Sequence, residues 1–337
     1  VRNRWSAASA AAAAALLALT GCGSDESGAA AAGPHYYLSL GDSITVGVQP
    51  GEDRIPQETS ESYTDMLYRH LYDSDSTLRH ERIGCGGEDT TTFLEGGLPS
   101  CEKRYDGAPQ IEAAEDFLSE HEGQVSLVTV TIGGNNFTRC VEGLGDTEDV
   151  SSAVLDTDCV DDGLERIESE APEIADRLRT AAGPDTQIIG MTYYNPFLAA
   201  MLLEAEAEAE PSEEPSPEEA EDAEPEIDPD AGPSLAEAEG ELPLDASLGG
   251  YATDVLEQMN ESLRSAYAAA DIQVADVEAA FDSTDFDVPE DSGTGWPANV
   301  QAVCDLTWMC NTERGPDIHP NSEGARVIAE AFRAHLS

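Results

Sequence analysis

Short runs of strand-forming residues, aromatic, aliphatic or β-branched, recur along the chain at residues 35–40, 78–83, 125–132, 187–193 and 272–277. The first three stop at a glycine (Gly41, Gly84, Gly133), and runs of this length and composition read as strands. Val125-Ser-Leu-Val-Thr-Val-Thr-Ile132 is the strongest, and its near-continuous apolar character suits a parallel strand covered on both faces. Leu78 to Ile83 is the weakest. Between the runs the spacing becomes helical. Residues 62–72 place Met66, Leu67 and Leu71 on one side, residues 109–119 open on a proline, and longer helices are predicted over 163–182, 251–270 and 321–335. Alternating strand and helix predict an α/β fold with a parallel sheet, and right-handed crossovers put helices on both faces. Ligands in such sheets sit at the carboxyl ends of the strands.

Two stretches depart from this pattern. Residues 204–245 are almost wholly Glu, Ala, Pro, Asp and Ser, with no apolar periodicity. Such a segment buries too little apolar surface to offset its ordering entropy, so it reads as a disordered acidic insertion. It interrupts one domain, 34–203 and 246–337, because a strand and a candidate site follow it. The first residues have the layout of an export signal: Arg2 and Arg4, then an apolar stretch from Ala7 to Leu19, short for a bilayer span. Leu19-Thr20-Gly21-Cys22 resembles a bacterial lipobox. The expectation is a signal peptide over 1–21, lipidation of Cys22 and a flexible tether over 22–33. The protein would then be extracytoplasmic, held to the membrane by that lipid anchor alone.

Charge narrows the function. The 337 residues include 69 acidic and 16 basic ones, a net charge of −53. Phosphate contacts need Lys and Arg, so a nucleic-acid partner is excluded. Seven cysteines leave six once Cys22 is set aside. An even number in an exported chain points to disulfides, and six cysteines allow 15 pairings. Sequence proximity favours Cys85–Cys101, Cys140–Cys159 and Cys304–Cys310. No CxxC or paired-histidine spacing suggests a metal, and no motif suggests a cofactor.

Four segments carry candidate chemistry. Gly41-Asp42-Ser43 follows the first strand, where a serine faces the ligand edge, but serine needs a base to act as nucleophile. Gly84-Cys85-Gly86-Gly87 follows the second strand and offers bare backbone N–H groups. Gly133-Gly134-Asn135-Asn136 follows the third, with an amide able to donate to an oxyanion. Pro316-Asp317-Ile318-His319-Pro320-Asn321 precedes the last helix. All four converge on one edge of the predicted sheet. In this order they resemble the blocks of the SGNH hydrolase superfamily, the GDSL esterases and lipases. The similarity runs from about His35 to the C-terminus, apart from the acidic insertion. LGDSITVGVQP, GCGGEDTT, TYYNPF and the VCDLTWMC segment before DIHPN are similar to secreted actinobacterial members in particular, which tend to carry three disulfides.

The resemblance implies a three-layer α/β/α sandwich with five parallel strands in flavodoxin-like order. It implies a serine ester hydrolase, an esterase or lipase working through an acyl-enzyme. Ser43 matches the nucleophile, His319 the general base, and the N–H groups of Ser43 and Gly87 with the side chain of Asn135 the oxyanion hole. The superfamily pattern has an aspartate three residues before the histidine. Here that position is Pro316, and Asp317 lies two before, so either the Pro316 carbonyl or the Asp317 carboxylate orients the ring; the carbonyl is favoured. Arg82 and Gly86 stand where relatives often have Asn and Pro. Trp296 and Trp308 are candidates for lining the pocket or for packing, whereas His35, His70, His80, His121 and His335 lack a catalytic context, and Asn195 reads as shaping its loop. A carbohydrate O-deacetylase on the same fold and a non-catalytic surface lipoprotein are the rival readings. The expected partners are acylated small molecules, lipids or glycans, acting on a monomer.

Overall fold

In the computed structural model the third strand has six of its seven residues buried, as its apolar run requires. It forms the middle of a five-stranded sheet. The structure describes residues 35–142, 154–196, 198, 241–243, 248–290 and 292–336. In chain order the main elements are β1 (Tyr36–Gly41), α1 (Tyr63–Ser74), β2 (Arg79–Arg82), α2 (Thr90–Glu95), α3 (Gln110–Glu120), β3 (Val125–Thr131), α4 (Thr157–Ala182) and β4 (Gln187–Met191). They continue with α5 (Leu248–Ala269), β5 (Gln273–Ala275), α6 (Val277–Ala280), α7 (Ala298–Leu306) and α8 (Ser322–Arg333). Every strand pairing in the sheet is parallel and the order is β2-β1-β3-β4-β5. This is the flavodoxin-like order, in which the chain reverses its direction of travel between β1 and β3 and opens a crevice at their carboxyl ends. Gly41 pairs with Thr131 at that point, so the two strands end side by side.

Helices α2 to α5 pack together on one face, and α1, α6, α7 and α8 on the other, which gives the α/β/α sandwich. Tyr37, Leu38 and Leu40 of β1, Val128 and Val130 of β3, and Ile189 of β4 are fully buried between them. Each such side chain contributes roughly 1.5–3 kcal/mol by leaving water. β2 is the edge strand, and its Arg-His-Glu-Arg sequence stays partly exposed, which explains its weak signal. Local sequence sets the helix starts. Ser62 and Asp65 form a capping box at α1, Asp89 and Thr92 another at α2, and Asn321 accepts from two backbone N–H groups at α8.

Several elements lie outside the expectation. α2 is a single turn of threonines held by its cap, α7 is short, and α4 begins at Thr157 instead of Gly163 because Asp156 caps a polar first turn. A three-stranded antiparallel sheet joins Val141–Glu142, Val154–Asp156 and Glu241–Pro243. Its last strand falls within the segment read as unstructured to residue 245, which corrects that boundary at residues 241–243; backbone pairing with Leu155 and its neighbours supplies what composition lacked. The expected signal peptide, the expected tether with Cys22, and residues 204–240 of the acidic insertion lie outside the described residues. No described helix is long and apolar enough to cross a membrane.

Candidate active site

Gly41 ends β1 at φ +122°, and a Cβ there would fall 1.9 Å from the Thr131 carbonyl oxygen. Only glycine allows β1 and β3 to run this close and then turn. Gln110, buried at the start of α3, fixes the turn by accepting from Gly41 N–H at 2.6 Å and donating to its carbonyl at 3.1 Å. The next residue, Asp42, is buried. Its Oδ1 accepts from Ile44 N–H at 2.9 Å and from the Thr131 hydroxyl at 3.2 Å, and its Oδ2 accepts from the Tyr193 hydroxyl at 2.6 Å. Burial lifts the Asp42 carboxyl above its ordinary range, against the pull of those three donors. Ser43 is thus bracketed by two residues tied to one carboxylate. Its Oγ makes no hydrogen bond to another described residue, and neither its backbone N–H nor that of Gly87 is taken up by one. Catalytic bonds of this kind often close only around substrate.

The glycine loop after β2 lies against this turn: a Cβ on Gly86 would sit 3.8 Å from the Cβ of Ser43. Gly87 follows, exposed. Asn135 opens a short helical turn, Gly134–Phe137, after β3 and donates one amide hydrogen to the Glu88 carbonyl at 3.0 Å. That bond fixes the amide plane and leaves the second N–H available. The neighbouring Asn136 is inward and structural. It accepts from Thr90 N–H at 3.1 Å and donates to the Thr90 hydroxyl at 2.7 Å. From α4, Arg166 donates to the Asn136 carbonyl at 2.8 Å, and Glu170 accepts from the hydroxyls of Thr90 and Thr91. Burial raises the pKa of Glu88, which takes the Thr92 hydroxyl at 2.6 Å.

His319 closes the site. Its Nδ1 lies 2.7 Å from Asp317 Oδ1, and the same oxygen accepts the His319 backbone N–H at 2.9 Å. Of the two candidate acceptors, the Asp317 carboxylate is the one that lies against the ring, reaching it from two residues away because the chain turns back between them. Burial pushes the Asp317 carboxyl up, yet the bonds and charge of His319 outweigh it and leave its pKa below the ordinary value. The ring and the carboxylate are 14% and 12% exposed, enough for one nitrogen to face a ligand. The Trp308 backbone N–H donates to the His319 carbonyl at 3.0 Å, and Tyr194 OH donates to the Ile318 carbonyl at 2.6 Å.

Ser43, Asn135 and His319 line one cavity of about 230 Å³, whose further wall is apolar and includes Phe137, Leu155, Val160, Leu256 and Met259. Gly87 is not part of that lining. Neither tryptophan is: Trp296 packs on Leu198, Val300 and Val303, and Trp308 lies under the Arg314 guanidinium at 4.8 Å. Of the remaining histidines, His80 is stacked on Tyr37 and His35 pairs with Asp75. The disulfides join the pairs that proximity favoured, and each one staples a loop beside a site segment: Cys85–Cys101 at Gly87, Cys140–Cys159 after Asn135, Cys304–Cys310 ahead of His319. Among the described residues no cluster of three or more His, Cys, Asp or Glu is placed to hold a metal. Sequence reading missed Gln110, Asn136, Asp42 as a partner, and the tyrosine pair; the signal available was polar residues at predicted strand and helix ends facing the ligand edge.

The chain belongs to the GDSL-like lipase/acylhydrolase family, whose model matches residues 39–327. It is a member of the GDSL/SGNH hydrolases, a class of ester hydrolase. Similar solved structures include an extracellular lipase from Streptomyces rimosus, at 15% identity and TM-score 0.47, covering 90% of this chain and 100% of that one. They also include phospholipase A1 from Streptomyces albidoflavus NA297, at 15% identity and TM-score 0.43, covering 90% and 100%. A third is a mutant acetyl-xylooligosaccharide esterase from Geobacillus, at 13% identity and TM-score 0.44, covering 90% and 96%. No protein with a curated description matches the sequence.

Proposed function

We propose that the protein is a serine carboxylic-ester hydrolase in which Ser43, His319 and Asp317 form the catalytic triad. The observation that carries this reading is the shared cavity: Ser43, Asn135 and His319 meet on one wall, with the His319 ring held by Asp317. His319 Nε2 takes the proton from Ser43 Oγ as that oxygen attacks the ester carbonyl carbon. The carbonyl oxygen becomes an oxyanion, received by the N–H groups of Ser43 and Gly87 and the free amide hydrogen of Asn135. Collapse breaks the C–O bond, and the imidazolium returns its proton to the leaving alkoxide. Water then attacks the acyl-enzyme with His319 again as base, releasing the acid and restoring Ser43.

The apolar wall favours an alkyl acyl group over a sugar-borne acetyl. A dry apolar cavity of about 150 Å³ takes up benzene, so this one suits an acyl chain of roughly six to ten carbons. Three disulfides, which persist in oxidising surroundings, support a location outside the cytoplasm, and the Leu19-Thr20-Gly21-Cys22 sequence supports a lipid anchor on Cys22. The test is hydrolysis of p-nitrophenyl acetate, butyrate, octanoate and palmitate by the wild type and by Ser43→Ala. Activity peaking at octanoate and lost in Ser43→Ala is expected. Activity that survives Ser43→Ala would overturn the reading, and a preference for acetate alone would shift it to a deacetylase. Mass spectrometry of the mature protein checks the lipid on Cys22.

A further inference from the structure

Two adjacent tyrosines follow β4, and their hydroxyls serve different site loops. Tyr193 OH donates to Asp42 Oδ2 at 2.6 Å, the carboxylate that also takes the Ile44 N–H. Tyr194 OH donates to the Ile318 carbonyl at 2.6 Å. One tyrosine therefore grips the residue before Ser43, the other the residue before His319. The pair itself is held firmly. Asn260 of α5 accepts from the Tyr193 N–H at 2.8 Å and donates to its carbonyl at 2.9 Å, and the Tyr194 ring stacks on Phe281 with centroids 4.5 Å apart. Both tyrosines are 5% exposed. The Tyr193 ring also lies against Gly134: a Cβ there would be 2.7 Å from its Cε1, so the loop of Asn135 meets the same side chain.

We infer that Tyr193 and Tyr194 are positioning residues that fix Ser43 and His319 relative to each other, acting through Asp42 and Ile318. The inference rests on the reading of Ser43 as nucleophile and His319 as base. The two come from loops at opposite ends of the chain, and neither Ser43 Oγ nor its N–H is bonded to another described residue. A common reference at the end of a central strand supplies what they do not provide for each other. Proton transfer is steep in geometry, and a displacement of about 1 Å costs on the order of 10² in rate. Neither hydroxyl is left over for substrate chemistry, since each has its acceptor.

The test compares Tyr193→Phe, Tyr194→Phe and the double variant with the wild type on one p-nitrophenyl ester, with Ser43→Ala as control. The readings are kcat, KM, melting temperature and the number of reactive serines titrated by a fluorophosphonate, so that kcat is stated per competent site. Each single change should lower kcat about 10- to 100-fold at nearly constant KM. The double variant should lose less than the product of the two, because both act on one geometry. Values of kcat per titrated site within about twofold of wild type in both singles overturn the inference. So does a rise in KM alone, which would make the hydroxyls substrate contacts, or a loss of titratable serine alone, which would make them merely structural. If Ser43→Ala is inactive while the tyrosine variants are normal, only the positioning role fails. If Ser43→Ala stays active, the catalytic assignment fails with it.

Discussion

Asp317 Oδ1 accepts two hydrogen bonds from the same residue, the ring Nδ1 of His319 at 2.7 Å and its backbone N–H at 2.9 Å. The backbone bond makes a tight turn of Asp317-Ile318-His319, and the turn delivers the ring to the carboxylate. A spacing of two residues thereby does the work of three. Asp317→Asn keeps an acceptor for the backbone N–H but removes the charge beside the imidazole. Its kcat should fall by up to about 10⁴-fold, the scale seen for triad aspartates. Saturation kinetics decide the matter, and a loss below about tenfold would return the orienting role to a main-chain carbonyl.

Asn135 and Asn136 are neighbours with opposite expected readouts. Asn135→Ala should lower kcat about 10²- to 10³-fold with little change in melting temperature, because it removes the amide proposed as one oxyanion donor. Asn136→Ala should instead cost about 1–3 kcal/mol of stability, because the buried Thr90 N–H loses its acceptor and the Thr90 hydroxyl, still donating to Glu170, loses a donor. Kinetics and thermal melting on the two purified variants separate these outcomes, and swapped effects would reverse the assignment of the two amides.

His80 is half-buried, its ring stacked on Tyr37 and tilted against Tyr68, with its Nε2 2.9 Å from the Ser39 hydroxyl. Burial, with the Arg82 charge adding to it, pushes its pKa down to about 3 from 6.5. The folded chain therefore holds His80 neutral where the unfolded chain takes a proton. Stability from this residue is full above about pH 6.5 and is lost as pH falls toward 3, by up to a few kcal/mol. Melting temperatures from pH 7 downward should show the loss, and His80→Gln should lack that share of it. An acid slope that His80→Gln leaves untouched would assign it to other groups.

Gly41→Ala should prevent folding or cost about 4 kcal/mol or more, since the methyl has no room beside Thr131 and φ is left-handed. Gly293→Ala, where nothing lies within 4 Å, is the control and should melt within about 0.5 kcal/mol of wild type. A soluble, active Gly41→Ala protein would show that the two strands can part.

The sheet was legible because β1 and β3 are apolar or β-branched runs that end at a glycine, and β3 could hardly be anything else. Edge strand β2, with Arg-His-Glu-Arg, was faint because half of it faces water. α2 was invisible to periodicity: six residues carry no helical repeat, and a side-chain cap holds them. At the site, Ser43, Asn135 and His319 stood out because each follows a strand or precedes a capped helix. The choice between Pro316 and Asp317 was not legible, since it depends on how the chain doubles back. Tyr193 read as the end of an apolar strand and Tyr194 only as part of the TYYNPF motif, and only their hydroxyl partners, far away in sequence, reveal what they hold.

None of the six bonded cysteines lies in the five sheet strands; all sit in the loops, or in the helices adjoining them, that carry or border the site. The sheet can therefore assemble from a chain whose thiols are all free, while the edge that bears Gly87, Asn135 and His319 stays unfastened. Such a chain is a kind of zymogen, matured by electron loss instead of by cleavage. In refolding from the reduced state, far-ultraviolet dichroism should recover first and ester hydrolysis only after oxidant is supplied; activity returning with all thiols free would show that the loops set themselves. An ester hydrolase built this way would gain its activity only after leaving a reducing compartment.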